Sequence, residues 1–223
     1  NGVRNITARD VVRAKKVELL MLWVPYCIAR HQLDRGSAIL NRDPMNLPVS
    51  LVQRNSPVRQ AARRELDHAR GVVDEALRRQ AEIQLDEAIG SPEAEHYERL
   101  KGARTWRQPM LGFFTQTLAT VGALNAHSGS RYLTLQLPLL EAMVCASLEP
   151  GVEMRFDDYC REVLWGRYNL IVDGQADVPR GPTSRIDALD LAENGECLAQ
   201  DLEGLGLLTA YSDATRMIHG EIH

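Results

Sequence analysis

An eleven-residue stretch that occurs twice constrains this fold more than any other feature. Residues 118–128 read LATVGALNAHS and residues 202–212 read LEGLGLLTAYS, with five identical positions. In each copy an apolar helix should end at a glycine, Gly122 or Gly206, because glycine adopts left-handed backbone angles without a Cβ clash. An apolar strand, a turn and a second apolar strand follow each glycine. Each copy therefore predicts a helix joined to a β-hairpin.

Capping signals predict three helices in the first hundred residues. Thr7 is expected to cap a helix over 7–35, which Pro25 should kink or interrupt because proline has no backbone donor. Serine–proline pairs beginning at Ser56 and Ser91 predict two further helices. The first half of the chain is thus expected to be helical.

The second copy carries its own start signal. A short helix over 186–191 is expected to break at the Asn194-Gly195 pair. Asn194 would then cap the helix that ends at Gly206, since asparagine is a preferred N-cap residue.

A helix, a glycine stop and a two-stranded wing, preceded by short helices, resemble the winged-helix superfamily over about 91–135 and 155–219. The resemblance implies a mainly α chain: a helical N-terminal half followed by two winged-helix-like units with short β-hairpins. The expected division is a basic helical region over 1–103, a first unit over 104–150 and a second, acidic unit over 151–223. Members of that superfamily bind DNA or use the same surface for protein contacts, and the fold alone does not choose between them.

Charge is distributed unequally along the chain. Residues 1–110 hold 19 Lys and Arg against 14 Asp and Glu, whereas residues 111–223 hold 7 against 16. A basic half joined to an acidic half indicates two different partners, or one half folded against the other.

The basic residues suggest where a nucleic acid could bind. On the helix from Ser56, most arginines are expected to pair with acidic residues four positions away, such as Arg63 with Asp67. This leaves two arginines of that helix unpaired. The first winged-helix-like unit adds two arginines at its helix start and one on its wing. An alternative remains open, in which all of these side chains only cover a solvated surface. The candidate nucleic-acid contacts are Arg59, Arg64, Arg104, Arg107 and Arg131.

The helix of the second copy carries Glu196, Asp201 and Glu203 and no basic residue. A DNA-reading helix must offset phosphate charge, so this helix would repel a nucleic acid. These three acidic residues are therefore predicted to contact a protein.

The sequence contains no phosphate-binding loop, nucleotide-binding glycine motif or nucleophile elbow, so no enzyme activity and no cofactor are predicted. His219 and His223 are spaced as a metal pair on a helix, but Gly220 weakens a helix there, and no metal site is expected.

The four cysteines are scattered, as is usual for free thiols in the cytoplasm. The apolar run over 19–29 is shorter than the roughly 20 residues of a membrane span. A cytoplasmic protein without membrane contact is expected.

Three functions follow from these observations. The first is a non-catalytic adaptor of a bacterial nucleic-acid-handling assembly, of the defence, mobile-element or chromosome-organising type. It is expected to bind a partner protein through its acidic unit, and DNA is a second candidate partner, through its basic half. A bacterial source is inferred from the 23 Arg against 3 Lys, which is typical of a GC-rich genome. The second is a DNA-binding regulator that uses the first winged helix, and the third is a fragment of a larger enzyme.

Overall fold

The computed structural model describes residues 1–174, 183–184, 186–211 and 215–220. Within these residues the chain is mainly helical and carries a few short strands. The helices of the described part do not combine the length and the apolar character that crossing a membrane would need.

Long helices dominate the first 120 residues, and a two-residue strand separates two of them. The elements are α1 (Gly2–Thr7), α2 (Arg13–Ile39), β1 (Leu47–Pro48), α3 (Pro57–Glu87), α4 (Ala94–Gly102) and α5 (Arg104–Thr120).

The second part alternates helices with short strands. Its elements are α6 (Leu137–Ser147), β2 (Glu153–Arg155), α7 (Phe156–Asp158), a π-helix (Tyr159–Trp165), α8 (Gly166–Tyr168), β3 (Leu170–Ile171), α9 (Ala188–Gly204), β4 (Leu208–Ala210) and β5 (Arg216–His219). Strands β1 and β3 pair in parallel, and a three-stranded antiparallel sheet has the order β2-β5-β4.

The two copies of the repeated stretch end their helices in the same way. Gly122 has φ +83° and Gly206 has φ +68°, as predicted. The next backbone N–H in each copy donates back to the helix, from Ala123 to the Leu118 carbonyl at 2.8 Å and from Leu207 to the Leu202 carbonyl at 2.9 Å. Bonds of this kind satisfy carbonyls that have no partner inside the helix.

A hairpin follows each glycine. The first one is reduced to a single antiparallel bridge between Leu124 and Leu133, whereas β4 and β5 form a regular ladder in the second. In each case the returning strand also meets an earlier segment of the chain: Ser50 N–H donates to the Leu133 carbonyl at 3.0 Å, and β5 pairs with β2. The predicted turn at 212–213 lies outside the described residues.

The helix start predicted at Thr7 and the interruption predicted at Pro25 are both wrong. The expected 7–35 helix is two helices, α1 and α2; Thr7 ends α1, and its hydroxyl donates to the Val3 carbonyl at 2.9 Å instead of capping a new helix. Pro25 does not interrupt α2, which continues to Ile39. By contrast, Ser56 caps α3 as predicted, because its Oγ accepts from the Arg59 N–H at 3.2 Å.

Asn194 is the clearest departure from expectation. It begins no helix but lies in the middle of α9, fully buried, and the predicted break is absent. Its amide nitrogen donates to the carbonyls of Val49 at 2.8 Å and Val172 at 2.6 Å, and its Oδ1 accepts from the Leu51 N–H at 2.8 Å. Asn194 therefore ties α9 to the segments that contain β1 and β3.

The core is continuous across the chain. It extends from Tyr26 on α2 to Ile218 on β5 and includes residues of all three predicted segments. Helix α6 lies at its centre, with Leu139, Leu140 and Met143 fully buried. The basic half and the acidic half thus share one large apolar core, and a smaller cluster joins α1 and α2 to α6.

Candidate interaction surfaces

Helix α9 presents an acidic outer face. Glu203 is exposed, and Glu196, with 56% of its side chain exposed, forms a bidentate ion pair with Arg216 at 2.8 and 2.9 Å. Asp201 is half-buried, and this desolvation raises its pKa. The three predicted protein-contact residues thus share one helix, and Arg216 neutralises one of them.

Helix α5 occupies the equivalent place in the first copy, but its outer face is apolar. Trp106 and Phe113 are 46% and 52% exposed, and Pro109 lies between them on the same side. Gln108 and Gln116 are also exposed. Large exposed aromatic side chains beside polar residues are typical of protein-binding surfaces.

The two predicted basic contacts at the start of α5 both bind Asp74. Arg107 is 5% exposed; its Nε donates to the Asp74 carboxylate at 2.7 Å and its Nη1 to the Leu100 carbonyl at 2.5 Å. Arg107 therefore fastens α5 to α3 and to the end of α4, and its guanidinium is not presented to a ligand. Arg104 is exposed and lies 3.3 Å from the same carboxylate.

The remaining predicted basic contacts are also engaged within the chain. Arg59 donates to the Val52 carbonyl at 2.7 Å and to the Gln53 carbonyl, and its guanidinium lies 4.6 Å from the centre of the Tyr132 ring. Arg64 is exposed and donates to Glu65 at 3.1 Å.

The pairing that was expected along α3 is different in the structure. Asp67 bridges Arg70 at 3.6 Å instead of Arg63, and Asp74 serves the two arginines of α5. Arg63 is exposed, and because Asp67 pairs with Arg70 it has neither an ion pair nor a side-chain hydrogen bond among the described residues. Sequence spacing could not reveal this, because Asp74 binds the arginines of α5 and Arg70 pairs with Asp67 instead.

A cleft lies where α3 passes the loop of the first hairpin. It has a volume of about 350 Å³ and is lined by three arginines together with Asp67, Thr115, Gly129 and Ser130. We call it the basic cleft, and its arginines are Arg63, Arg70 and Arg131. The Nε of Arg70 is buried without a hydrogen-bond partner, and Arg131 donates to the His127 carbonyl of its own loop. Of the five predicted basic contacts, only Arg131 lines this cleft.

A polar cluster crosses the outer surface of the antiparallel sheet. His219 Nε2 lies 2.8 Å from Thr209 Oγ1, and His219 Nδ1 lies 3.1 Å from Glu153 Oε1. His219 belongs to β5 and not to a helix, while His223 lies outside the described residues. In the part of the chain that the structure describes, His, Cys, Asp and Glu nowhere form a group of three or more that could hold a metal ion.

Sequence reasoning missed Arg63, Arg70 and Asn194. Hydrogen bonds to distant segments fix Asn194, and the packing of α3 beside the first hairpin loop places the two arginines in the basic cleft. Comparisons with protein-family models, with curated proteins and with solved structures give no match to this chain.

Proposed function

We propose that this chain is a non-catalytic adaptor built from two winged-helix-like units. The first would consist of α2, β1, α3, α5 and the hairpin after Gly122, and the second of α6, β2, the helical segment 156–168, α9 and the β4–β5 hairpin. The support is the order of elements, which the two units share when α4 and β3 are set aside, the shared glycine stop and the contact of each returning strand with an earlier strand or extended segment. This division would place the first unit earlier than 104–150.

The observation that carries the proposal is the chemistry of the two helices that precede the hairpins. Along its whole length α9 contains no Lys or Arg, and it exposes Glu196 and Glu203. The accessible cation of α5 is Arg104, which shares Asp74 with buried Arg107, and the outer face beyond it is aromatic and amide. A helix that binds DNA through phosphates needs unneutralised basic side chains on its outer face. Both helices are better suited to bind protein.

The partner would present a basic surface to α9, because opposite charges orient two proteins on encounter and exclude wrong partners. A bacterial assembly that handles nucleic acid, in defence, mobile elements or chromosome organisation, is the setting suggested by analogy with other winged-helix adaptors. The adaptor itself would sit in the cytoplasm and require no cofactor.

The proposal is tested by affinity capture with two double variants. Glu196→Lys with Glu203→Lys reverses the charge of the α9 face, whereas Glu93→Lys with Glu98→Lys makes the same charge change around α4. Wild type and the α4 variant should retain the same partner, identified by mass spectrometry, and the α9 variant should lose it. Equal capture by both variants would contradict binding through α9.

The basic cleft favours a second candidate function, which is direct binding of nucleic acid by the N-terminal half. Three arginines from α3 and the hairpin loop surround one open cleft, and Arg63 has no competing ion pair among the described residues. Salt dependence separates the candidates, since each neutralised phosphate contributes about −0.9 to the slope of log affinity against log salt concentration.

Fluorescence anisotropy with a labelled duplex measures this slope. If the cleft binds DNA, Arg63→Gln should weaken binding and lower the magnitude of the slope by about one. Arg155→Gln, an equal charge change at an exposed residue of β2, should have little effect. An adaptor that reaches nucleic acid only through its partner should show weak binding that neither variant alters.

A further inference from the structure

Helix α2 has two apolar faces, and only one of them is covered. Leu19, Tyr26 and Leu33 are buried against the rest of the chain. On the opposite side, Met21 is 69% exposed, Ile28 49% and Val17 47%. The second face is therefore an apolar surface with no partner among the described residues.

The outer face follows a strict spacing. Its positions alternate between three and four residues apart for about three heptads, which is the repeat of a helix that packs along one narrow seam against another helix. We call these positions the α2 seam: Ala14, Val17, Met21, Val24, Ile28, His31 and Arg35. All are exposed except Val24, which is half-buried.

We propose that the α2 seam binds the α2 seam of a second copy of this chain, with the two helices antiparallel about a two-fold axis between Met21 and Val24. A two-fold interface uses the same patch on both subunits, so the patch must complement itself. In this register Met21 lies opposite Val24 of the second copy, and Val17 lies opposite Ile28. The apolar side chains then form an unbroken central block.

The ends of the seam match in charge as well. In the same register the N-terminal end of α2, which Asp10 precedes by three residues, lies beside Arg35 of the second copy, and this juxtaposition of opposite charges occurs twice by symmetry. Both residues are exposed, and neither has an ion pair with another described residue. Ala14 lies opposite His31, where a small side chain leaves room for a large one.

Charge also decides the direction of the second helix. A parallel pair would set Arg35 against Arg35, and like charges in direct contact are destabilising. The antiparallel pair avoids this contact and adds the two Asp10–Arg35 pairs.

The test is the mass of the whole chain in solution, measured by sedimentation equilibrium at about 100 µM, where even a micromolar pair is largely dimeric. We expect twice the 25.0 kDa mass of the chain for the wild type. Met21→Glu should return the mass to 25.0 kDa and raise the dissociation constant by at least about 100-fold, because two carboxylates would be buried against Val24. Ile89→Glu, at a residue that is 79% exposed away from the seam, should leave the dimer intact.

A charge exchange tests the register. Asp10→Arg and Arg35→Asp should each weaken the dimer about threefold to tenfold at low salt, and the double variant should restore it. A monomeric wild type, a dimer that Met21→Glu leaves unchanged, or a double variant that does not recover would overturn the proposal. A monomer that binds a different protein through the seam counts among these outcomes. Far-UV circular dichroism of each variant confirms that the helices remain folded.

Discussion

Replacing Asn194 by alanine isolates the contribution of one buried side chain to the stability of the whole chain. The amide makes three hydrogen bonds to backbone groups, two as donor to Val49 and Val172 and one as acceptor from Leu51. Its exposed fraction is 0%, so water does not already compete for these bonds. The variant would leave two carbonyls and one N–H without their partner.

The expected loss follows from these three groups. A buried polar group that loses its only partner costs about 1–3 kcal/mol, and the Leu51 N–H, which is only partly buried, can recover a bond to water. We therefore expect Asn194→Ala to lower the free energy of unfolding by about 3 kcal/mol. For a domain of this size the midpoint of thermal unfolding should fall by roughly 6–12 °C.

Urea unfolding followed by far-UV circular dichroism measures the change, and thermal unfolding provides an independent check. The control is Gln200→Ala, an exposed position on the same helix, which should change the stability by less than about 0.5 kcal/mol. If the free energies of unfolding of Asn194→Ala and Gln200→Ala differ by less than about 1 kcal/mol, the three hydrogen bonds do not hold α9 to the strands, and the prediction is refuted.

Further outcomes are expected at other positions that hold the interior together. Asp74→Ala should lower the free energy of urea unfolding by about 3 kcal/mol, because it leaves the guanidinium of Arg107, which is 5% exposed, without its anion. A loss under about 1 kcal/mol would show that the backbone carbonyls alone satisfy this guanidinium. Gly122→Ala should lower the free energy of unfolding by about 2 kcal/mol, and with it the midpoint of thermal unfolding. The reason is that φ is +83° and the new Cβ would lie 2.9 Å from the Gln136 Cβ. An unchanged midpoint would contradict the close contact. Burial raises the pKa of Cys145 from 9.0 to about 11, so the native state retains a proton that the unfolded state loses. Stability should then fall as the pH rises from about 9 to about 11, and Cys145→Ala should remove that part of the decline when unfolding is compared at several pH values.

The local sequence was sufficient for the elements whose cause is local. Ser56 caps α3, and Gly122 and Gly206 end their helices, because capping and left-handed backbone angles depend on one residue and its immediate neighbours. The repeated stretch likewise predicted a helix followed by a hairpin in both copies. The mainly helical class follows from these signals together.

Other features depended on partners far away in the chain. Asn194 reads as a cap in sequence, but three backbone groups from distant segments fix it inside α9. Asp74 and Arg70 lie at helical pairing distance, yet Asp74 binds the arginines of α5, because tertiary packing brings α5 against α3. Spacing along one helix defines which pairs are possible, and long-range contacts select among them.

The surfaces divide in the same way. The sequence by itself determined that α9 carries acidic residues and no basic ones, since that is a matter of composition within one helix. Only the tertiary structure decided that Arg107 is buried, that Arg63 and Arg131 share the basic cleft, and that Met21 and Ile28 face solvent. Exposure depends on which face of a helix the rest of the chain covers, and apolar spacing alone cannot distinguish a covered face from an open one.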